Sequence, residues 1–188
     1  MGLNLRIIGG SLRGKKLYSV PGILTRPTAD RVREAVFNIL ASRVAGARVL
    51  DLFAGTGCLG LEALSRGAQA AVFVDHHPLP VSVIKKNIAA CRLDSVCRVL
   101  KSDLLHDAKR IAAAGDDFDL VFMDPPYNQG LIEPTLALLH AAGVLNKNAV
   151  VMVEHTPLEP IGEKITPLVV EDQRKYGKTL VSFLVYAI

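Results

Sequence analysis

Four aspartates stand at or near the ends of four short apolar runs: Asp51, Asp75, Asp103 and Asp124. The last lies in FDLVFMDPPYN, residues 118–128, where two prolines and a tyrosine follow it. Pro125 and Pro126 cannot donate backbone hydrogen bonds, and they fix their own φ. A buried strand must stop there, with a carboxylate and stiff carbonyls at its tip. A nucleobase amine is the kind of group this can serve. Its lone pair is delocalised into the ring, which makes it a poor nucleophile. The Asp124 carboxylate and the Pro125 carbonyl can accept its N–H bonds and shift charge onto the nitrogen. Preorganised acceptors do this without reorganisation during the reaction. Tyr127 offers a flat surface on which an extruded or single-stranded base can stack.

Ahead of this element lies DLFAGTGCLG, residues 51–60. Gly55, Gly57 and Gly60 match G-x-G-x-x-G where a strand gives way to a helix, a pattern that lets backbone approach a ligand closely. Asp75 follows Gly55 by 20 residues, the spacing of a dinucleotide fingerprint with the acid on a ribose hydroxyl. A nicotinamide dehydrogenase also needs a hydride-transfer site, and the sequence offers no candidate. Asp51, just before the glycines, would repel a pyrophosphate and suits an ammonium. Asp103 can accept from an adenine amine. S-adenosylmethionine has an ammonium, a sulfonium, a ribose and an adenine but no phosphate, so it is the expected ligand.

These residues require an α/β scaffold. From residue 47, β-rich runs (ARVLDLF, AAVFVD, CRVLKSD, FDLVFMD, AVVMVEH) alternate with helices expected over 58–66, 79–91, 104–114 and 130–142. That alternation predicts βαβ units and a parallel sheet covered on both faces. The tail, from KITPLVVEDQRKYGKT onward, predicts two strands joined by a polar turn, an antiparallel hairpin that completes a mostly parallel seven-stranded sheet. Ahead of the sheet, residues 5–18 read as two short strands around a Gly/Ser/Arg turn. TADRVREAVFNILAS then has helical spacing at Val32, Ala35, Val36, Ile39 and Leu40, with Thr28 as its expected N-cap. Two units follow: a basic hairpin and helix over 1–45, packed on a catalytic domain over 46–188.

The overall charge of +4 is unevenly spread. Residues 1–48 hold nine Lys/Arg against two acids, +7, and the remainder is −3. A patterned basic segment is the footprint of a polyanion partner. Arg13, Lys15, Lys16, Arg26, Thr28 and Arg31 are the candidate RNA contacts. Arg31 and Arg33 are two apart and cannot share a helix face, so one of them is free to pair with Asp30 or Glu34. Cys58, Cys91 and Cys97 form no C-x-x-C pair, which fits a reducing cytoplasm and neither a disulfide scaffold nor a zinc site. His76-His77 lacks further ligands at suitable spacing, and no metal is expected. YGKT fails as a P-loop because position 172 is Asp172. No apolar run reaches a membrane-spanning length, and the N-terminus has neither a signal peptide nor, with Arg6, a myristoylation pattern.

Together DLFAGTG and DPPY resemble the amino-directed class I methyltransferases of nucleic acids, a Rossmann-like fold. RIIGGSLRGKKL, TRPTADRVREAVFNIL, LDLFAGTGCLGLEALSRGA and FDLVFMDPPY look more narrowly like the bacterial RsmD family, from about residue 6 to 130, with a weaker echo at KYGKT. The resemblance implies methylation of the N2 amine of one guanine, number 966 of small-subunit 16S ribosomal RNA, in an assembled or assembling subunit. It implies a monomeric cytoplasmic enzyme. It implies cofactor contacts at Asp51, Phe53, Gly55, Gly57, Asp75 and Asp103, with Ala54, His76 and Leu104 beside them, and base contacts at Asp124, Pro125 and Tyr127. The family usually has Glu where this chain has Asp75, and a charged residue rather than His76 after it. Cys58 stands where Ser or Ala is usual. Two alternatives stay open: an amino-directed DNA methyltransferase, for which 188 residues leave little room for target recognition, and a non-catalytic RNA-binding module, against which the intact Asp-Pro-Pro-Tyr speaks.

Overall fold

A computed structural model describes residues 5–21, 27–104, 108–113, 117–162, 164–165 and 167–188. In chain order the elements are α1 (Pro27–Ile39), α2 (Ala41–Val44), β1 (Arg48–Leu52), α3 (Cys58–Ser65), β2 (Ala70–Asp75), α4 (Pro78–Cys91), β3 (Cys97–Lys101), α5 (Ala108–Ala112), β4 (Phe118–Met123), α6 (Ile132–Ala142), β5 (Leu145–His155), β6 (Lys164–Ile165), β7 (Leu168–Tyr176) and β8 (Thr179–Tyr186). One sheet runs β3-β2-β1-β4-β5-β8-β7-β6. The pairs from β3 to β5 are parallel, and β5–β8, β8–β7 and β7–β6 are antiparallel. The expected seven strands form the sheet, and the two-residue β6 adds an eighth at its edge.

Period-two alternation divides the core. Val49 of β1 and Phe73 of β2 face one side, where Leu61 of α3, Ile84 and Ile88 of α4 and Phe37 of α1 cover them. Leu50, Leu52, Val72 and Val74 face the other side, against Ile111 of α5 and Ile132, Leu136 and Leu139 of α6. Helices therefore cap both faces, as the continuous apolar strands require. Pro78 opens α4, where a missing N–H costs nothing. Gly143 closes α6 in the left-handed region.

Residues 5–18 form the expected antiparallel hairpin: Arg6 bridges Lys16, Leu17 N–H donates to Leu5 O at 2.8 Å, Ile7 N–H to Lys15 O at 3.0 Å and Gly14 N–H to Ile7 O at 2.8 Å. Further backbone groups of the hairpin, around its turn, bond α3. Ile8 and Gly9 donate to the Glu62 carboxylate at 2.7 and 2.8 Å, Ser11 N–H donates to Ser65 O at 2.7 Å, and Leu12 N–H to Ser65 Oγ at 2.9 Å. Two expectations for α1 are corrected. First, α1 takes in Pro27, which puts Thr28 inside the first helical turn rather than at the cap. Second, the buried face of α1 is Arg33, Val36 and Phe37, with Leu40 buried just past its end, while Ile39 is 40% exposed. Phe37 stacks against Phe122 of β4 and lies beneath the Arg66 guanidinium. The expected helix over 104–114 is described as α5 alone. Among the described residues no helix is long and apolar enough to cross a membrane.

Candidate active site at the carboxyl edge of the sheet

Strand order reverses between β1 and β4, and in open α/β sheets ligands bind beyond the carboxyl ends of the strands at that point. Leu52 is the register partner of both Val74 and Met123, and Met123 of Val153. The next residue on each strand therefore falls in one row along this edge: Asp75, Phe53, Asp124 and Glu154. Three of the four carry a carboxylate.

On the β1 side the chain turns sharply. Phe53 has φ 56°, unusual for a residue with a side chain, and Gly55 and Gly57 follow with φ 57° and 75°. Gly60 is glycine for a different reason. A Cβ there would lie 2.4 Å from the Phe73 ring and 3.2 Å from Asp51 Oδ2. Its absence lets α3 sit on the sheet with its N-terminus behind the loop. Asp51 Oδ2 accepts the Gly60 N–H at 2.9 Å. Asp75 Oδ2 accepts the Gly55 N–H at 3.0 Å, and its Oδ1 accepts the His77 N–H at 2.9 Å. Ala54 N–H donates to Val74 O at 3.0 Å and joins the loop to β2. Asn87 of α4, fully buried, donates to Thr56 O at 2.9 Å and binds both backbone groups of Tyr18. The glycine loop and the N-terminal arm thus share a clamp.

Asp51 is 2% exposed, and its carboxyl is pushed up to about 8 by burial, opposed by the Gly60 hydrogen bond and reinforced by Asp75. Burial likewise raises the Cys58 thiol, with Arg33 opposing, so the residue is an unreactive packing group. His76 is exposed and stacks on His77 with ring centroids 3.8 Å apart. Beyond β3, Asp103 is exposed and Leu104 is buried. Among the described residues no group of His, Cys, Asp and Glu could hold a metal ion. Residues 49–65 contain no Lys or Arg. A glycine cradle bordered by carboxylates and free of cations fits S-adenosylmethionine and not a pyrophosphate.

On the β4 side, Asp124 is exposed, Pro125 is buried and the Tyr127 ring is 43% exposed. Asp124 is open to solvent yet set among protein mass. Loss of solvation, then the carboxylates of Glu154 and Asp51, push its carboxyl well above the usual aspartate range. Tyr127 OH donates to Glu154 Oε1 at 2.6 Å. Burial and that bond raise its phenol. The loop behind is pinned from β5's far end. Asn128 and Gly130 donate their N–H groups to the Glu159 carboxylate at 2.9 and 2.8 Å, and Thr156 Oγ1 donates to Asn128 Oδ1 at 2.8 Å. Beneath it the fully buried His155 links the Glu159 carbonyl to Ser182 Oγ at 3.0 and 2.8 Å, and Gln173 donates to the same Ser182 Oγ at 2.8 Å.

Arg13, Lys15 and Lys16 are exposed on the arm, and Arg31 is exposed on α1. Arg33 is buried instead; it pairs with Asp30 at 3.1 Å and donates to Arg6 O at 2.6 Å. Arg26 lies outside the described residues, and of Thr28 only the backbone is described. Tyr176 and Lys178 flank the tight β7–β8 turn, where Gly177 has φ 65°. Sequence reasoning missed Glu154, Glu159, Glu62 and Asn87. Glu154 carried a signal, because it nearly ends a buried strand as the four aspartates do.

The fold and this edge define an S-adenosylmethionine-dependent methyltransferase. A family model described as conserved hypothetical protein 95 matches residues 5–185. The ribosomal RNA small subunit methyltransferase D of Escherichia coli K12 is 42% identical over 152 residues, covering 80% of this chain and 74% of that protein. Its namesake in Haemophilus influenzae is 36% identical over 163 residues, covering 87% and 83%. The solved structure of the Escherichia coli protein yhhF superposes with TM-score 0.86 at 34% identity, over 98% of this chain and 99% of that one. The chain belongs to this family, the RsmD family.

Proposed function

We propose that this chain methylates the exocyclic N2 amine of one guanine in small-subunit ribosomal RNA, number 966 by the family resemblance. The observation that carries this reading is the row Asp75, Phe53, Asp124 and Glu154. It supports a reading in which a cation-free glycine cradle lies beside rigid acceptors for a flat amine. The names of the Escherichia coli and Haemophilus influenzae relatives support ribosomal RNA as the substrate class. Exposed Arg13, Lys15, Lys16 and Arg31 support a phosphate-backbone contact on the N-terminal extension, residues 1–45. The chain would act as a monomer.

Asp51, Asp75 and Asp103, with the backbone of Phe53, Ala54, Gly55 and Gly57, would hold the cofactor, and His76 and Leu104 would border it. Bound S-adenosylmethionine would supply an electrophilic methyl carbon to the amine lone pair, with its sulfur as the leaving group. Asp124 and the Pro125 carbonyl accept the two amine hydrogens and hold the lone pair towards that carbon. Asp124, with its raised proton affinity, takes the proton that the alkylated amine must lose. Tyr127 holds the base plane.

Labelled S-adenosylmethionine incubated with small subunits lacking the mark tests the reading. Label in ribosomal RNA supports it. Label in DNA alone, or none, overturns it.

A further inference from the structure

Glu154 has no part in the Asp-Pro-Pro-Tyr element, yet it shares that element's site. It stands level with Asp124 on the neighbouring parallel strand, one residue past the Met123–Val153 pair. Adjacent strands lie about 4.8 Å apart. Its Oε1 is fixed by the Tyr127 hydroxyl at 2.6 Å, so its orientation is set by the same ring that would carry the base. Its residue is half-buried, not a solvated surface acid.

Two acceptor groups side by side ask for two donors side by side. The nucleobases differ there. On guanine the N2 amine is flanked by the N1–H donor. On adenine and cytosine the amine is flanked by a ring nitrogen lone pair, which a carboxylate repels. We propose that Glu154 is the specificity-determining residue: its free oxygen accepts the guanine N1–H while Asp124 and the Pro125 carbonyl hold the N2 amine. This rests on the reading of the site as a base-amine methyltransferase. It derives the choice of guanine from the site itself, where Asp-Pro-Pro-Tyr alone serves any base amine.

The analogue 2,6-diaminopurine separates the two questions, because it keeps the 2-amine but has a lone pair at N1. Small subunits are reconstituted around RNA carrying either guanine or 2,6-diaminopurine at the target position. The wild-type protein should methylate the guanine subunits and use the analogue at least about tenfold less efficiently, as for a mismatched base-edge contact. In Glu154→Gln the amide oxygen can keep the Tyr127 hydroxyl and the amide N–H₂ faces the base. That variant should favour the analogue, or at minimum lose the preference for guanine. A merely structural role for Glu154 would lower both rates and leave their ratio unchanged. Equal use of both substrates by the wild-type protein, or an unchanged ratio in Glu154→Gln, overturns the inference while leaving the methyltransferase reading intact. The wild-type comparison decides even where the variant fails to fold. If the wild-type protein modifies neither substrate, the proposed function itself falls and this inference with it.

Discussion

The hydroxyl of Tyr127 donates to Glu154 Oε1 across 2.6 Å, fastening the tip of the β4 loop to the neighbouring strand. The ring is thereby held in one orientation while 43% of the residue stays exposed. Tyr127→Phe keeps the stacking surface and loses only the fastening, so its kcat/KM for small subunits should fall by a few-fold. Tyr127→Ala loses the surface, and KM should rise by about 10- to 100-fold, the usual worth of one base–aromatic stack. Equal effects of the two substitutions would mean that the ring does not stack.

Asp124→Ala should abolish transfer, because it removes the proposed principal acceptor for the amine. Cofactor affinity should change by less than about threefold, since the glycine loop stands on the other side of the row. Single-turnover assays and calorimetric titration measure the two separately. Transfer near the wild-type rate would show that the carboxylate has no catalytic role.

As the proposed partner of the cofactor's ammonium, Asp51 should make the binding of S-adenosylmethionine pH-dependent. Its carboxyl is raised from 3.8 to about 8. Between those values the folded chain holds a proton that the unfolded chain has lost. This residue's contribution to stability therefore declines as pH rises from about 4 to about 8 and levels off above that. Asp51→Asn cannot ionise and should remove that slope, so its Tm relative to wild type should improve between about pH 5 and pH 8. An arriving ammonium favours the ionised carboxylate. Cofactor binding at about pH 7 should release a proton from the wild-type protein and none from Asp51→Asn, read by calorimetry in buffers of different ionisation heat. Equal proton release from both would remove Asp51 from the cofactor site.

Glu62 joins the arm to the domain. Fully buried on α3, it accepts from Ile8 and Gly9 N–H and from Arg66 at 2.8 Å, with Arg33 at 3.8 Å. Removing one partner from a buried ionic network strands the others without solvent, typically at about 3–5 kcal/mol. Glu62→Ala should lower the urea midpoint by an amount in that range at unchanged m. A loss below about 1 kcal/mol would mean that water replaces the carboxylate and that the arm is not held by it.

The sheet was legible because its strands are nearly uninterrupted apolar runs and its turns carry Gly or Pro. The parallel pairing followed from the βαβ alternation, and the strand order came only with the fold. The arm was legible as a hairpin from its β-propensity and its Gly-Gly-Ser turn, but its attachment to α3 was not. The N–H groups of Ile8, Gly9, Ser11 and Leu12 bond Glu62 and Ser65, more than 50 residues away. Glu62 itself reads as an ordinary helix glutamate until the fold buries it. Asn87 and Glu159 were hidden for the same reason, since they act on backbone brought to them by the fold. Asp51 was legible by type and spacing, but not its depth behind Gly60. Glu154 sat in plain view at the end of a strand. What was missing was the register that sets it beside Asp124, and register across a parallel sheet is not written in either strand alone.

The most direct test of the account is the identity of the methylated nucleoside. Small subunits lacking the mark are incubated with the protein and labelled S-adenosylmethionine, and the RNA is digested to nucleosides and separated. The account predicts label in N2-methylguanosine alone, at one position. Label in a methylated adenosine or cytidine, or in no ribonucleoside, would contradict it.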